Sequence, residues 1–385
     1  MTQLDLKQHF SRFLGSDPQR LHFAAHSHSC WPDVSQAGQL LAWEDAARLI
    51  DGKWEHVLGS VLPAAQGHVA RLLGLPDPQS VVFAPNTHEL VKRILSCFPA
   101  TAPVRILASD SEFHSFARQI ARLEEDGLVQ VTRIPSAPFN SFAARFAEAA
   151  QAGFDLVFVS QVFFNSGYAV QVEAFDAIAA AAGEAMLVVD GYHAFMALPV
   201  DWSSLAARAF YIAGGYKYAM AGEGACFMHC PPGWGPRPRD TGWYAAFGAL
   251  SGAQDNRMAY AETGWRFMGS TFDPSGLYRF NAVQDWLQGQ GIDVAAIHDH
   301  VRGLQRLFIA GLPAGPFREA HLVVPEALPR GNFLTFELDN AGDVQQRLAQ
   351  RNVVTDHRGS RLRIGFGLYH TAADVTALLA RLQSL

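Results

Sequence analysis

The sequence predicts an α/β protein, in which a large domain with a mostly parallel, mixed sheet flanked by helices precedes a small α+β domain. Two observations predict it. Between residues 81 and 229, apolar runs of strand length alternate with helical patterns, which is typical of βαβ units around a parallel sheet. After residue 276 the pattern changes to helices followed by short strands, as in an α+β unit. We therefore expect an N-terminal arm and substrate-side loop over residues 1–35, a large domain over 36–275 and a small C-terminal domain over 276–385.

The first 100 residues are predicted to be mainly helical. Residues 1–20 have the pattern of a helical arm, and Pro32 with Asp33 fits the start of a helix that continues to Ile50. A further helix over 57–75 ends near Gly74, since glycine often terminates helices and proline follows at Pro76. A short strand from residue 81, a polar turn and a helix to residue 98 complete this part.

The middle of the chain supplies the parallel sheet, and the end supplies the small domain. Residues 240–281 are aromatic-rich and irregular, and long structured loops of this kind usually serve function. The apolar and helical patterns predict strands at 104–108, 129–134, 155–162, 186–189, 209–213 and 225–229, with helices at 110–125, 139–151 and 172–182. In the small domain they predict helices at 280–289, 297–312, 343–351 and 372–385, and strands at 322–324, 333–338, 353–356 and 361–366.

Composition excludes several classes of function. A net charge of −6 and a pI near 6.2 argue against nucleic acid as a partner. The sequence has no apolar run of 18 residues, and its start has no apolar segment typical of a signal peptide. The four cysteines show neither a CxxC pair nor a zinc spacing, which indicates a reducing compartment. We expect a cytoplasmic protein that binds no metal, membrane or nucleic acid.

Two polar residues follow buried strands in the stretch from Leu187 to Gly224. Asp190 ends one apolar run, and Lys217 follows the next. Ligands bind at the carboxyl ends of strands in open α/β sheets, so a carboxylate and an amine are expected to meet there. A buried lysine costs several kcal/mol when charged and unpaired, which makes Lys217 a candidate to form a Schiff base. A buried Asp190–Lys217 ion pair explains this stretch equally well.

The turn Asn86-Thr87 lies between a strand and a helix. A helix N-terminus in this position can bind a phosphate through its free N–H groups and dipole. A simple helix cap is the stronger interpretation of this turn by itself. No GxGxxG or GxxxxGK[ST] motif is present, so dinucleotide and P-loop sites are not expected.

The separate signals fit one cofactor. Pyridoxal 5′-phosphate (PLP) needs an anion site, a stacking ring, a carboxylate for its ring nitrogen and an amine for its aldehyde. Asn86 and Thr87 can supply the first, Phe113 the second, Asp190 the third and Lys217 the fourth.

The segments Asp190-Gly191-Tyr192-His193 and Gly215-Tyr216-Lys217-Tyr218, with Asp190 and Lys217 27 residues apart (217 − 190), resemble the class V aminotransferase group of PLP-dependent fold type I. Within that group the sequence most resembles kynureninase, over nearly the whole chain. The resemblance implies an α/β enzyme of fold type I with an amino acid substrate. It also implies a homodimer with shared active sites.

The resemblance also assigns roles to individual residues. Lys217 would carry the cofactor and move the Cα proton, Asp190 would keep the ring nitrogen protonated, and His193 would orient Asp190 or pack under the ring. The other residues it places at the cofactor are Asn86, Thr87, Phe113, Asn165, Ser166, Tyr216 and Trp243, with Ser270 and Thr271 lent by a partner subunit. Arg363, helped by Arg358, would bind the substrate carboxylate, and His28 would lie on the substrate side.

The resemblance leaves the reaction open. The N-terminal segment reads His26-Ser27-His28-Ser29 where kynureninases have an Asn-Ser-Leu-Gly pattern, and Arg363 stands six residues before Tyr369, a spacing closer to other class V enzymes. Hydrolytic Cβ–Cγ cleavage of kynurenine-type substrates is the first expectation. Transamination, or other chemistry at Cα, is the alternative. A cysteine desulfurase is disfavoured because no cysteine follows Cys230 to act as nucleophile.

Overall fold

A seven-stranded sheet lies at the centre of the larger part of the protein. The computed structural model describes residues 4–99, 101–249, 258–312 and 321–383. In the described residues the strands have the order β2-β8-β7-β6-β5-β3-β4, and β8 runs in the direction opposite to the other six. The strands are β2 (Val81–Ala84), β3 (Val104–Ser109), β4 (Val129–Ile134), β5 (Leu156–Ser160), β6 (Met186–Asp190), β7 (Ala209–Gly214) and β8 (Cys226–His229). The mostly parallel, mixed sheet predicted from the sequence is confirmed.

Helices cover this sheet, so its central strands are buried. Every residue of β5 and β7 is buried, which explains why these strands read as continuous apolar runs rather than alternating ones. A π-helical turn, Val57–Val61, joins two of the helices into one long stretch. The helices of this part are α1 (Ser11–Gly15), α2 (Val34–Leu49), α3 (Lys53–His56), α4 (Leu62–Leu73), α5 (Thr87–Leu95), α6 (His114–Glu125), α7 (Phe139–Ala150), α8 (Val172–Ala182) and α9 (Ser275–Gly289).

The C-terminal part has a second apolar core, built by residues such as Phe308, Phe336 and Leu378. Its antiparallel sheet has the order β11-β12-β9. The elements are β9 (Phe333–Glu337), β10 (Val353–Val354), β11 (Asp356–Arg358) and β12 (Arg361–Gly365), with α10 (Val294–Ala310), α11 (Ala341–Ala349) and α12 (Ala372–Leu382). The α+β character predicted for this end is therefore present.

The N-terminal segment pairs with the C-terminal part. Strand β1 (Leu21–His22) runs parallel to β10, and Ala24 forms a bridge with Gly365 at the end of β12. This pairing places the residues that follow β1 against the three-stranded sheet.

Two predicted elements differ from the structure. The strand expected at 322–324 is only a single bridge between Leu322 and Phe336, since Pro325 has no N–H to extend the pairing. The strand expected at 353–356 is divided at Thr355, where the chain leaves β1 and begins to pair with β12.

The helix expected from residue 280 begins at Ser275. Leu277, Phe280 and Val283 of this helix, α9, pack into the larger core. The proposed domain boundaries remain a prediction. In the described residues, no helix is both long and apolar enough to cross a membrane, and all four cysteines are free thiols.

Candidate active site

A cavity lies beyond the carboxyl ends of β6 and β7, beside the N-terminus of α5. Seven of the residues predicted from the sequence line it: Asn86, Thr87, Phe113, Asp190, His193, Tyr216 and Lys217. The strand-end signals in the sequence therefore converge on one place.

Asp190 is the last residue of β6 and lies between two neighbouring strands, opposite Ser160 of β5 and Ile212 of β7. Its Oδ1 accepts a hydrogen bond from the Tyr192 backbone N–H at 2.9 Å. Burial raises the pKa of the Asp190 carboxyl, while the Tyr192 bond and the charge of Lys217 oppose that rise. A cation placed in the cavity would stabilise the carboxylate form.

Lys217 follows β7 and is 4% exposed. Its Nζ lies 2.8 Å from His193 Nε2, 4.7 Å from the ring centroid of Tyr192 and 5.1 Å from that of Phe113. Burial lowers the pKa of Lys217 to about 7; Arg363 also lowers it, and Asp190 opposes the shift. A large fraction of the amine is therefore neutral near neutral pH, as condensation with an aldehyde requires. No ion pair joins Lys217 to Asp190 in the described part of the chain, so the ion-pair interpretation is not supported.

His193 contacts Lys217 rather than Asp190 among the described residues, so the expected orientation of Asp190 is not observed, and packing under the cofactor ring stays a prediction. Its Nε2 also lies 3.1 Å from the backbone oxygen of His26. Burial, with the nearby charges of Lys217 and Arg363, lowers the pKa of His193 well below its ordinary value. His193 is therefore a neutral imidazole, and a proton on Nε2 can be donated to the His26 oxygen while Lys217 is neutral.

The N-terminus of α5 faces the cavity through Asn86 and Thr87. The Asn86 side chain accepts the Glu89 N–H at 3.0 Å, so the capping interpretation is confirmed. Capping satisfies one donor of the first turn and leaves other N–H groups for an anion. Tyr216 lines the same cavity, and burial raises its pKa to about 12, so its hydroxyl stays protonated and can donate. The two interpretations of this turn are compatible.

These residues fit PLP. One end of the cavity offers N–H and O–H donors for a phosphate, and the ring of Phe113 lies beside the amine. Asp190 and Lys217 supply an acid and an amine from adjacent strands. Asn86, Thr87 and Tyr216 would hold the phosphate, Phe113 would contact the ring, and Asp190 and Lys217 would hold the ring nitrogen and the aldehyde carbon.

Five other predicted cofactor residues do not line this cavity. The Asn165 side chain donates to Ser111 Oγ at 3.1 Å, and Ser166 Oγ accepts the Tyr168 N–H at 3.2 Å. Trp243 stacks on Tyr244 at 4.1 Å and is 44% exposed, while Ser270 and Thr271 are exposed.

Arg363 lies behind the cavity wall and is 3% exposed. Its Nε donates to Asp356 Oδ1 at 2.8 Å, and its Nη2 donates to Asp356 Oδ2. Its Nη1 donates to the backbone oxygen of Phe164 at 2.5 Å, and Phe164 itself lines the cavity. Arg363 thus contacts a residue that lines the cavity but does not line the cavity itself.

The other two predicted substrate residues lie nearer the surface. The side chain of Arg358 is 46% exposed and lies 3.6 Å from Asp356 Oδ2. His28 stacks on Tyr216 with ring centroids 5.0 Å apart, and its side chain is 67% exposed. It therefore stands beside a residue that lines the cavity.

Sequence reasoning missed several residues at this site. Phe164, Tyr192 and Cys226 line the cavity, and Glu112 is buried behind it. Glu112 accepts hydrogen bonds from Ser160 N at 3.2 Å and is 2.6 Å from Ser160 Oγ. Burial raises its pKa to about 7. Tyr192 stands inside the Asp190–His193 motif and was available as a signal, whereas nothing local marks the other three.

The profile of the family described as aminotransferase class-V matches residues 56–378, which include Asn86, Asp190, Lys217 and Arg363. The chain belongs to the class-V aminotransferase family. It is a PLP-dependent enzyme of this family and acts on an amino acid. This confirms the enzyme class and the cofactor predicted from the sequence.

The proteins that this class-V enzyme resembles are described as a probable cysteine desulfurase and a cystine C–S lyase. A protein of Vibrio cholerae serotype O1 described as a probable cysteine desulfurase is 22% identical over 347 residues, which are 83% of this chain and 81% of that protein. The cystine C–S lyase C-DES, in complex with its product cysteine persulfide, has a TM-score of 0.82 at 18% identity, covering 94% of this chain and 97% of that one. A C-DES variant with glycine covalently linked to PLP has a TM-score of 0.81 at 17% identity, covering 98% and 99%. These similarities do not confirm the closer resemblance to kynureninase.

Proposed function

We propose that this class-V enzyme hydrolyses a Cβ–Cγ bond of an amino acid with an aromatic side chain, as kynureninases do. The observation that carries this proposal is the aromatic wall beside Arg363. The ring of Phe164 stands edge-on to Phe113, with centroids 5.4 Å apart, and 5.1 Å from the ring of His114. Among the described residues that line the cavity, Lys217 is the only cation. The wall therefore suits an aromatic side chain better than an acidic one.

The residues around the cofactor would have different roles in the reaction. When bound, PLP supplies an electron sink that stabilises negative charge developed next to the substrate Cα. Lys217 holds the cofactor and then moves the Cα proton, a role that suits its lowered pKa. Asp190 would hold a proton on the ring nitrogen, and the neutral imidazole of His193 lies 2.8 Å from the amine of Lys217.

Arg363 would bind the substrate carboxylate. Asp356 occupies its Nε and one N–H of Nη2, and Phe164 occupies one N–H of Nη1. A guanidinium has five N–H groups, so one N–H remains on each Nη atom. These two hydrogens are available to a substrate carboxylate, the kind of group that a guanidinium binds well.

A second candidate is cleavage of a Cβ–S bond, which the names of the two relatives favour. All four cysteines lie in the described residues and are poor nucleophiles, because burial raises their pKa: Cys30 and Cys226 to about 11, Cys97 and Cys230 to about 12. Cys226, which lines the cavity, also lies 3.3 Å from the Tyr192 hydroxyl. Elimination without a protein persulfide is therefore the form of this reaction that suits the chain.

A substrate panel separates the candidates. The purified PLP-bound enzyme is incubated with kynurenine and 3-hydroxykynurenine, with cystine and cysteine, and with amino donors plus keto acids. Release of anthranilate or its hydroxy form, together with alanine, supports the first proposal. Pyruvate with a sulfur product supports the second. A new amino acid formed from a keto acid contradicts both and supports transamination.

The enzyme is also proposed to be a homodimer with shared sites. Ser270 and Thr271 are exposed and lie outside the cavity of their own subunit, as expected if they serve a partner. Large apolar side chains are also exposed: Leu40, Leu41, Trp43 and Ile50 on and after α2, and Trp243, Phe247 and Met258. Such groups often mark interfaces.

Mixing two inactive variants tests this arrangement. Subunits with Lys217→Ala are combined with subunits carrying Ser270→Ala and Thr271→Val. A mixed dimer contains one site with both Lys217 and the intact loop, so activity should return on mixing. A fully active monomer in gel filtration would contradict the proposal.

A further inference from the structure

His26 joins the N-terminal segment to the arginine behind the cavity. It is 0% exposed, and its Nε2 lies 2.9 Å from Asp356 Oδ1. Its ring stacks on Phe333 with centroids 4.8 Å apart and an interplanar angle of 26°. A Cβ on Gly365 would lie 2.1 Å from His26 Nδ1, so glycine at this position is what allows the imidazole to enter. The histidine is therefore enclosed on several sides.

The oxygen that faces His26 also accepts the Nε–H of Arg363, while the Nη2 of Arg363 donates to the other oxygen. Asp356 Oδ1 lies 2.9 Å from the imidazole and accepts the Arg363 Nε at 2.8 Å. Arg358 lies 3.6 Å from the other oxygen, Oδ2. The carboxylate thus has two arginines within reach, and the imidazole lies on the Arg363 side. Without that hydrogen bond, the two bonds from Arg363 alone would hold the carboxylate against the charge of Arg358.

The backbone of His26 reaches the other end of the site. Its carbonyl oxygen lies 3.1 Å from His193 Nε2, and the same Nε2 lies 2.8 Å from Lys217 Nζ. One residue therefore contacts both the Asp356–Arg363 pair and the histidine beside the amine.

We propose that His26 is a positioning residue, which holds Asp356 against Arg363 and so keeps the free N–H groups of Arg363 aimed at a substrate carboxylate. This inference rests on the carboxylate-binding role proposed for Arg363. His26 acts through Asp356 and has no contact with the reacting atoms. Removing its side chain weakens the recognition of the carboxylate and leaves the cofactor in place.

Two small amines measure this effect without any cleavage. L-Alanine and ethylamine differ in the carboxylate, and both are titrated into the PLP-bound protein while its visible absorbance is recorded. His26→Ala is expected to weaken alanine about tenfold, equivalent to about 1.4 kcal/mol, and to leave ethylamine unchanged. His26→Gln, which keeps an N–H donor near the position of Nε2, is expected to restore most of the alanine affinity.

A second buried histidine provides the control. His229 is 1% exposed and lies 2.8 Å from the Ala206 oxygen and 2.9 Å from Ser80 Oγ, away from the cavity lining. His229→Ala loses similar hydrogen bonds, so it should lower stability and keep the preference for alanine over ethylamine. A loss of that preference in this variant would show a general folding effect and overturn the proposal for His26.

The outcomes separate this proposal from the one on which it rests. If the wild-type protein itself binds alanine no better than ethylamine, carboxylate binding by Arg363 fails and the role of His26 fails with it. If the wild type prefers alanine and His26→Ala keeps the preference, only the role of His26 is overturned. Failure to cleave kynurenine affects neither the role of Arg363 nor that of His26, because alanine binding requires no cleavage.

Discussion

Lys217 and Arg363 are two buried basic side chains of one site, and they differ in whether a carboxylate compensates their desolvation. Among the described residues no carboxylate forms an ion pair with Lys217, and desolvation lowers its pKa to about 7. Asp356 binds Arg363 through both carboxylate oxygens, and the pKa of that carboxyl lies well below its ordinary range. Desolvation disfavours the charged form unless a partner compensates it. The end that bonds to an aldehyde needs a neutral amine, whereas the end that binds a carboxylate needs a permanent cation.

Removing Lys217 should have the largest effect. Lys217→Ala is expected to abolish the absorbance that depends on covalent attachment of PLP and to lower activity on the order of 10²–10⁴-fold, because its proton transfers are also lost. Visible spectra and steady-state rates measure this. Lys53→Ala is the matched control, since Lys53 contacts the ring of Trp54 and not the cavity. Unchanged absorbance in Lys217→Ala would refute the assignment of the amine.

Replacing the carboxyl groups of Asp356 and Asp190 should have different effects on the stability of the protein. Asp356→Asn leaves Arg363 buried without a countercharge and is expected to cost about 3 kcal/mol. Asp190→Asn keeps an oxygen for the Tyr192 N–H and removes a carboxyl whose pKa is raised by burial, so the free energy of unfolding should stay equal or rise. Urea unfolding of the PLP-free proteins compares them. Equal losses for the two variants would mean that the proposed contrast is wrong.

The pH dependence of stability should distinguish the amine from the arginine pair. In the folded protein the pKa of Lys217 is about 7, while the unfolded chain has about 10.4. Between these values the unfolded state binds more protons, so the free energy of unfolding should rise with pH, by roughly 1 kcal/mol per pH unit. The free energy of unfolding of the PLP-free wild type, relative to that of PLP-free Lys217→Met, should therefore rise from about pH 7 to about pH 10.

Asp356 should behave differently over that range. Its pKa is lowered in the folded protein, so its contribution is complete above the unfolded pKa of about 3.9 and is lost only in acid. Parallel stability curves for wild type and Lys217→Met between neutral and alkaline pH would contradict a lowered pKa for the lysine.

The smallest effect is expected at the start of α5. Asn86→Ala removes the cap bond to Glu89 N and should cost about 1 kcal/mol of stability. Asp293 caps α10 through Ala296 N at 2.7 Å, so Asp293→Ala should cost a similar amount. PLP retention during dialysis should fall in the first variant alone. Equal retention would leave Asn86 as a cap with no part in phosphate binding.

The amine end of the site was predictable because it is local. Asp190 and Lys217 follow consecutive apolar runs, and parallel strands bring their carboxyl ends to one edge of a sheet. The strand pattern alone is therefore enough to predict that these two side chains lie close together. The same logic predicted a mostly parallel sheet, and its centre contains four parallel strand pairs.

The arginine end was predictable only in part. Arg363 was identified by resemblance, but Asp356 and His26 were not assigned, since the contact between these two residues joins segments 330 residues apart. No periodic pattern encodes which buried histidine meets which carboxylate. Glu112 and Phe164 were missed for a similar reason, because their roles depend on the packing of loops after β3 and β5.

The pairing of β1 with β10 has a consequence for how the chain is made. His26 leaves the ribosome early, and its partner Asp356 follows 330 residues later (356 − 26). At about 5–20 residues per second, synthesis of that interval takes roughly 15–65 seconds. Strands β6 and β7, which precede Asp356 in the chain, are complete well before then. The cofactor end of the site can therefore form before His26 meets Asp356 at the substrate end.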